Sequence, residues 1–112
     1  MEKHPQHNVA NDMQAGVYAS VLHYLKAVDK VGSAADGKAV VAAMKDLGTD
    51  DSLFGKGYIR RDGRAIHPMY LMEVKTPEES KGQWDLLKIV SLIAGEDAFR
   101  SESDGNCKLV TN

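Results

Sequence analysis

Four histidines, one cysteine, an Asp-Asp pair and a cluster of arginines are the residues here with chemistry to offer. His67 with Glu73, or His23 with Asp29, has the residue types for general acid/base work. Neither spacing suits it. Along a strand, at ~3.3 Å per residue, His67 and Glu73 share a face but stand roughly 20 Å apart. Along a helix, six residues turn His23 and Asp29 in different directions. Neither pair has a nucleophile, a glycine-rich oxyanion loop or a metal constellation to complete it. An enzyme is therefore not expected.

The other candidates are equally incomplete. His4 and His7 have a spacing that suits a metal, but they read as part of an ordinary polar terminus. Asp50-Asp51 lacks the spaced oxygens of a calcium loop and reads as loop or cap. Gly55-Lys56-Gly57 lacks the glycine spacing and the following Ser/Thr of a phosphate loop. Lys56, Arg60, Arg61 and Arg64 gather around Tyr58. Such a cluster can touch nucleic acid, but a solvated hairpin tip that guards a sheet edge is the commoner use. The charge balance supports the second reading. Fourteen Lys+Arg stand against sixteen Asp+Glu, a net −2, so no nucleic-acid partner is expected. No cofactor or metal is expected either.

The elements that would position these residues centre on Gly57 to Val74, which reads as a β-hairpin. Its first arm is Gly57 to Arg60 and its turn is Asp62-Gly63, a pair that accepts positive φ. Its second arm runs from Ile66 to Val74, with Pro68 at an edge or at the strand's start. Upstream, Tyr18, Val21, Leu22, Leu25 and Val28 recur at helical spacing, widened by Val17 and Tyr24. This stripe predicts a helix from about Asn11 to Val31, buried against a layer, with His23 on the solvated side. Ser33 and Asp36 predict the start of a second helix, Gly37 to Leu47, ending at Gly48. Thr49 to Ser52 reads as a polar connection, and Lys75 to Gly82 as an exposed loop. Trp84 to Ala94 is apolar and β-branched between glycines, and reads as a strand beside the hairpin.

The 112 residues fit one domain or a fragment of one. Residues 1–10 form a flexible lead-in, 11–48 two helices, 57–94 hairpin and strand, and 95–112 a polar tail. The fold class is α/β. No apolar run reaches the ~20 residues of a membrane span, so no membrane insertion is expected, and the N-terminus shows no signal peptide. A single cysteine, Cys107, excludes an internal disulfide.

An ordered series of segments carries a resemblance. Ala15 to Val28 (AGVYASVLHYLKAV) comes first, then Gly57 to Arg64 (GYIRRDGR) and His67 to Lys75 (HPMYLMEVK). Glu79 to Asp85 (ESKGQWD), Ala98-Phe99-Arg100 and Cys107 to Val110 (CKLV) follow. Together they resemble the C-terminal segment of periplasmic solute-binding proteins of ABC transporters, the Leu/Ile/Val-binding class. The resemblance implies a fragment of a type I periplasmic-binding-protein fold, in which two α/β lobes are joined by a hinge of crossing strands with the ligand between them. It implies a periplasmic location. The implied partners are an amino acid or related small solute and an ABC permease. It implies that most ligand contacts come from upstream loops. Tyr18 is the one ligand-binding candidate in this chain, on a helical position that also suits packing. In a full receptor, Cys107 could pair with an upstream cysteine; in this chain the thiol is free or links two chains.

Two functions follow. The first is ligand capture by lobe closure, with this segment supplying scaffold and hinge. The second is a free-standing interaction module, a homo-oligomer held together by apolar faces that a fragment leaves bare.

Overall fold

Asn11 opens the first helix. Its side-chain oxygen accepts from Gln14 N at 2.9 Å, while Gln14 Oε1 accepts from Asn11 N at 3.0 Å, a reciprocal capping box. The helix, α1, runs Asp12–Val31 and stops at Gly32, whose φ of +79° closes it in the left-handed conformation. Asp36 caps α2, Gly37–Leu47, by accepting from Lys38 N and Ala39 N. The computed structural model describes residues 9–110. The lead-in histidines His4 and His7 lie outside them.

The two helices pack through small side chains. Ala27, Val40 and Ala43 form the core between them, with Val28 and Met44 alongside. His23 belongs to the same contact. It is 6% exposed, and its Nε2–H donates to the Met44 carbonyl at 2.7 Å. This corrects the expectation of a solvated His23. The physical reason is orphaned backbone: Met44 lies in the last turn of α2, where carbonyls have no partner within the helix.

The burial of α1 is also corrected. Most of its large apolar residues face outward, Leu22 and Val28 being half-buried. Met13, Val17, Tyr18, Val21, Tyr24 and Leu25 are all exposed. The exposed stripe adjoins the inward face of Ala27 and His23, so α1 is apolar over a broad arc of which α2 covers one side. A helix apolar over so broad an arc is ordinarily buried.

Three strands form the first sheet, in the order β1 (Thr49–Asp51), β2 (Gly55–Ile59), β3 (Ala65–Ile66), all antiparallel. The turn between β2 and β3 contains Asp62-Gly63, with Gly63 at φ +85°. The supposed polar connection at 49–52 therefore holds a strand. Thr49 pairs with Gly57, and Asp51 pairs with Gly55. Asp51 Oδ1 accepts from Leu53 N and Phe54 N and shapes the tight turn.

The second arm of the hairpin is divided. It pairs with β2 only through Ala65 and Ile66, breaks at His67-Pro68, and resumes as β4, Met69–Val74. Proline has no N–H to give β2, so the ladder ends there. β4 instead pairs antiparallel with β5, Leu87–Ile93, the strand expected from the apolar run. A bulge between Leu71 and Met72 shifts the register. On one face of this ribbon Tyr70 stands opposite Leu92, Met72 opposite Ile89, and Val74 opposite Leu87. All six are exposed. The other face is mixed, with Glu73 opposite Lys88.

The chain returns from β5 through Gly95, the start of a short helix α3, Gly95–Ala98. A Cβ at Gly95 would stand 2.9 Å from Ile66 Cγ2 and 3.1 Å from His67 N. The outgoing and returning strands therefore touch, and the ribbon joins the rest through a two-stranded neck. A 3₁₀ turn, Ser103–Gly105, lies in the tail. The spread of the molecule follows. Its radius of gyration is 17.5 Å, against about 13 Å for a compact chain of this length.

Candidate functional site

The arginine cluster at the β2–β3 turn is matched by carboxylates of the same chain. Arg60 donates Nη2 to Asp62 Oδ2 at 2.7 Å and Nε to Oδ1 at 3.1 Å, a two-pronged pair. Its Nη1 donates to the Arg100 carbonyl at 3.0 Å. Arg61 donates to Glu102 at 2.7 Å, and Arg64 lies over the Phe99 ring at 5.7 Å. Arg60 and Asp62 have side chains only 11% and 12% exposed, so the Arg60 end of the tip is covered rather than solvated. The hydrogen bond from Arg60 holds the Asp62 carboxyl down to about 2. The hydrogen bond from Arg61 lowers Glu102 as well. An open groove of about 750 Å³ beside the cluster includes Tyr58, whose hydroxyl donates to Glu96 at 2.8 Å. That bond pushes the phenol above its ordinary value. The groove's charges are largely balanced internally.

A second space, of about 310 Å³, lies between α1, α2 and the first sheet. Ala19, Met44, Phe54 and Ile59 give it an apolar lining, and His23 and His67 both reach it. His67 is tightly fixed. Its ring sits 4.5 Å from that of Phe54 and edge-on to Phe99 at 5.4 Å, and its Nδ1–H donates to the Pro68 carbonyl at 3.0 Å. Sequence spacing could not reveal this aromatic clamp, because its three members span the chain from 54 to 99.

The proposed acid/base pairs are not brought together as such. His67 sits at the neck, whereas Glu73 lies out on the ribbon within 3.4 Å of Lys88. His23 is buried and Asp29 exposed. Among the described residues no group of three or more metal-ligating side chains stands together. No described helix is long and apolar enough to cross a membrane. Cys107 carries a half-buried free thiol. Tyr18 is 55% exposed on the outer face of α1.

Comparison with known proteins gives this arrangement of helices and strands a family. The family model for periplasmic binding proteins matches residues 1–83. The chain belongs to the periplasmic binding protein family. The matched region ends in the loop between β4 and β5, and solved periplasmic binding proteins extend the likeness beyond it. One from Burkholderia mallei is 46% identical with a TM-score of 0.86, over 95% of this chain and 28% of that one. A second, a branched chain amino acid ABC transporter periplasmic ligand-binding protein from Burkholderia xenovorans, is 38% identical with a TM-score of 0.83, over 91% and 27%. No curated protein matches. The chain thus has the periplasmic-binding-protein fold over about 28% of the length of its solved relative.

Proposed function

We propose that this chain forms the C-terminal part of the periplasmic substrate-binding receptor of an ABC transporter for amino acids or similar small solutes. Capture is non-catalytic. Two lobes close on the solute because the closed state gains contacts that the open state lacks, and the closed receptor then docks on a membrane permease. In this reading α1, α2 and the first sheet are scaffold, and the two-stranded neck at His67-Pro68 and Ala94-Gly95 is a hinge element. The neck is the observation that carries the reading. It joins two parts of one chain through paired crossings, which suits a rigid-body motion.

Tyr18 is the ligand contact carried forward. Its stripe position also serves packing, and substitution separates the two roles. The test is a single polypeptide in which the remaining part of the Burkholderia mallei relative precedes this chain. Calorimetric titration with Leu, Ile and Val should give saturable binding. If Tyr18 touches the solute through its hydroxyl, Tyr18→Phe weakens binding without lowering the melting temperature. A well-folded fusion that takes up none of a panel of amino acids would count against the receptor reading.

A second reading is a self-associating module without its own ligand site. The exposed apolar faces of α1 and the ribbon favour it. It predicts a defined, reductant-insensitive oligomer of this chain alone in light scattering. A dimer lost on reduction would instead assign the contact to Cys107.

A further inference from the structure

The inward face of α1 changes character along its length. Toward the C-terminal end, Ala27 packs against Val40 and Ala43 of α2. Toward the N-terminal end the same face carries Gly16, Ala19 and Ser20. There the cavity of about 310 Å³ opens between α1, Met44 of α2 and the first sheet. A Cβ at Gly16 would meet nothing within 4 Å. Small side chains that bring the helices together at one end thus leave a space at the other. Phe54, Ile59 and the His67 ring line its other side. An apolar cavity of about 150 Å³ takes up benzene, so roughly twice that volume has room for two rings.

The polar side chains of this lining share one property: their hydrogens are already committed. His23 is 6% exposed and gives Nε2–H to the Met44 carbonyl, so the neutral ring keeps Nδ1 as a bare acceptor. Among the described residues no side-chain nitrogen or oxygen is both buried and without a partner, so Nδ1 reaches open space, and the cavity is a space that His23 lines. His67 gives Nδ1–H to the Pro68 carbonyl and likewise keeps Nε2 as an acceptor. The Ser20 hydroxyl donates to the Val17 carbonyl at 3.0 Å. The Asp51 carboxylate accepts only, and its Oδ1 already takes two backbone N–H groups. The Thr49 hydroxyl is the exception. No lysine or arginine lines the space.

We infer that this cavity is a binding site for a small, uncharged, planar molecule of one or two rings that carries an N–H or O–H donor, with His23 Nδ1 as the acceptor that meets it. The inference does not rest on the receptor reading, because every wall of the site belongs to this chain. The apolar walls favour burial of a ring, and the Met44 thioether and the Phe54 ring suit aromatic edges. A ring without a donor would cover His23 Nδ1 and leave it unsatisfied, which costs free energy. A carboxylate would meet acceptors and no cation. An ammonium would leave water for an apolar lining whose one carboxylate is already shared.

The test is a titration of the 112-residue chain with indole, followed through backbone amide chemical shifts. Saturable shifts should appear at Ala19, His23, Met44 and Ile59. 1-Methylindole keeps the rings and loses the donor, and should bind about tenfold more weakly. Ala19→Leu fills the cavity and should abolish uptake of indole. Should that variant fail to fold, the comparison of indole with 1-methylindole on the unaltered chain decides alone. Equal affinity for the two probes would overturn the inference. So would shifts centred on the ribbon at Tyr70 and Leu92, which would mean adsorption to an exposed apolar face, or undiminished binding to a folded Ala19→Leu chain. In the fusion described above, Leu, Ile and Val should not compete with indole. Competition would place indole in the solute site and overturn the inference. A fusion that takes up indole but no amino acid removes the receptor reading and leaves this site standing.

Discussion

His23 Nε2 and the Met44 carbonyl oxygen lie 2.7 Å apart across the contact between the two helices. A side chain from the middle of one helix thereby satisfies backbone at the end of the other. His23→Ala would leave that carbonyl without its donor, at a cost of about 1–3 kcal/mol. Urea unfolding measures it. A loss below about 0.5 kcal/mol would show that water replaces the imidazole at no penalty.

Two glycines should respond in opposite directions to the same added methyl group. A Cβ at Gly57 would fall on the Ile66 carbonyl oxygen and 2.8 Å from Thr49 Oγ1, and the carbonyl, being backbone, cannot swing aside. Gly57→Ala should cost about 1–3 kcal/mol. Gly16 sits within α1 with nothing near its missing Cβ. Gly16→Ala should stabilise by about 0.5–1 kcal/mol, because alanine loses less freedom in a helix. Paired thermal melts decide. Shifts of the same sign would contradict the packing described at Gly57.

Acid should loosen the β2–β3 turn in a defined window. Asp62 is held down to about 2 by Arg60, from an ordinary 3.8. A carboxylate depressed in the folded chain contributes fully above its unfolded value. That contribution is lost as pH falls through the folded value. Stability should therefore decline between about pH 4 and pH 2, with Glu102 declining in the same sense. In Asp62→Asn the slope across that window should flatten. Denaturant midpoints measured through the range would reveal it, and an unchanged slope would refute the pairing.

Hydrogen exchange should divide the chain at the neck. In the isolated chain, amides of β4 and β5 should exchange well before those of α1 and α2, since no described residue covers the apolar face of the ribbon. Mass spectrometry of quenched peptides reads this directly. Uniform protection would mean the ribbon is held by contacts absent from this structure.

The helices were legible in the sequence because their ends carry chemical punctuation. Asn11, Gly32, Asp36 and Gly48 each act at the boundary they mark. The inward face of α1 was not legible. Pattern reading weights large apolar residues, whereas the contact with α2 selected Ala27, whose small side chain lets the helices approach closely, and His23, whose ring reaches the Met44 carbonyl. β1 was missed because Thr49-Asp50-Asp51 has no strand-like composition. Its pairing comes from the turn that Asp51 builds, and turn geometry set the register. Pro68 correctly marked the limit of pairing with β2, but nothing local announced that the strand beyond it would change partners. The clamp around His67 and the Arg61–Glu102 pair join distant segments, so no window of sequence contains them. The family resemblance was legible because it depends on an ordered series of segments rather than on any single motif.

The contact of Gly95 with Ile66 and His67 makes the ribbon a cassette. Everything between residues 68 and 94 departs and returns through the same doorway, so its length is uncoupled from the geometry of what remains. Nature or an engineer could lengthen the strands, change the 75–86 loop, or replace the whole excursion with a short glycine bridge. The helix pair and the first sheet would keep their own contacts. A periplasmic binding protein built this way could alter its reach toward a partner without redesigning the body that carries it.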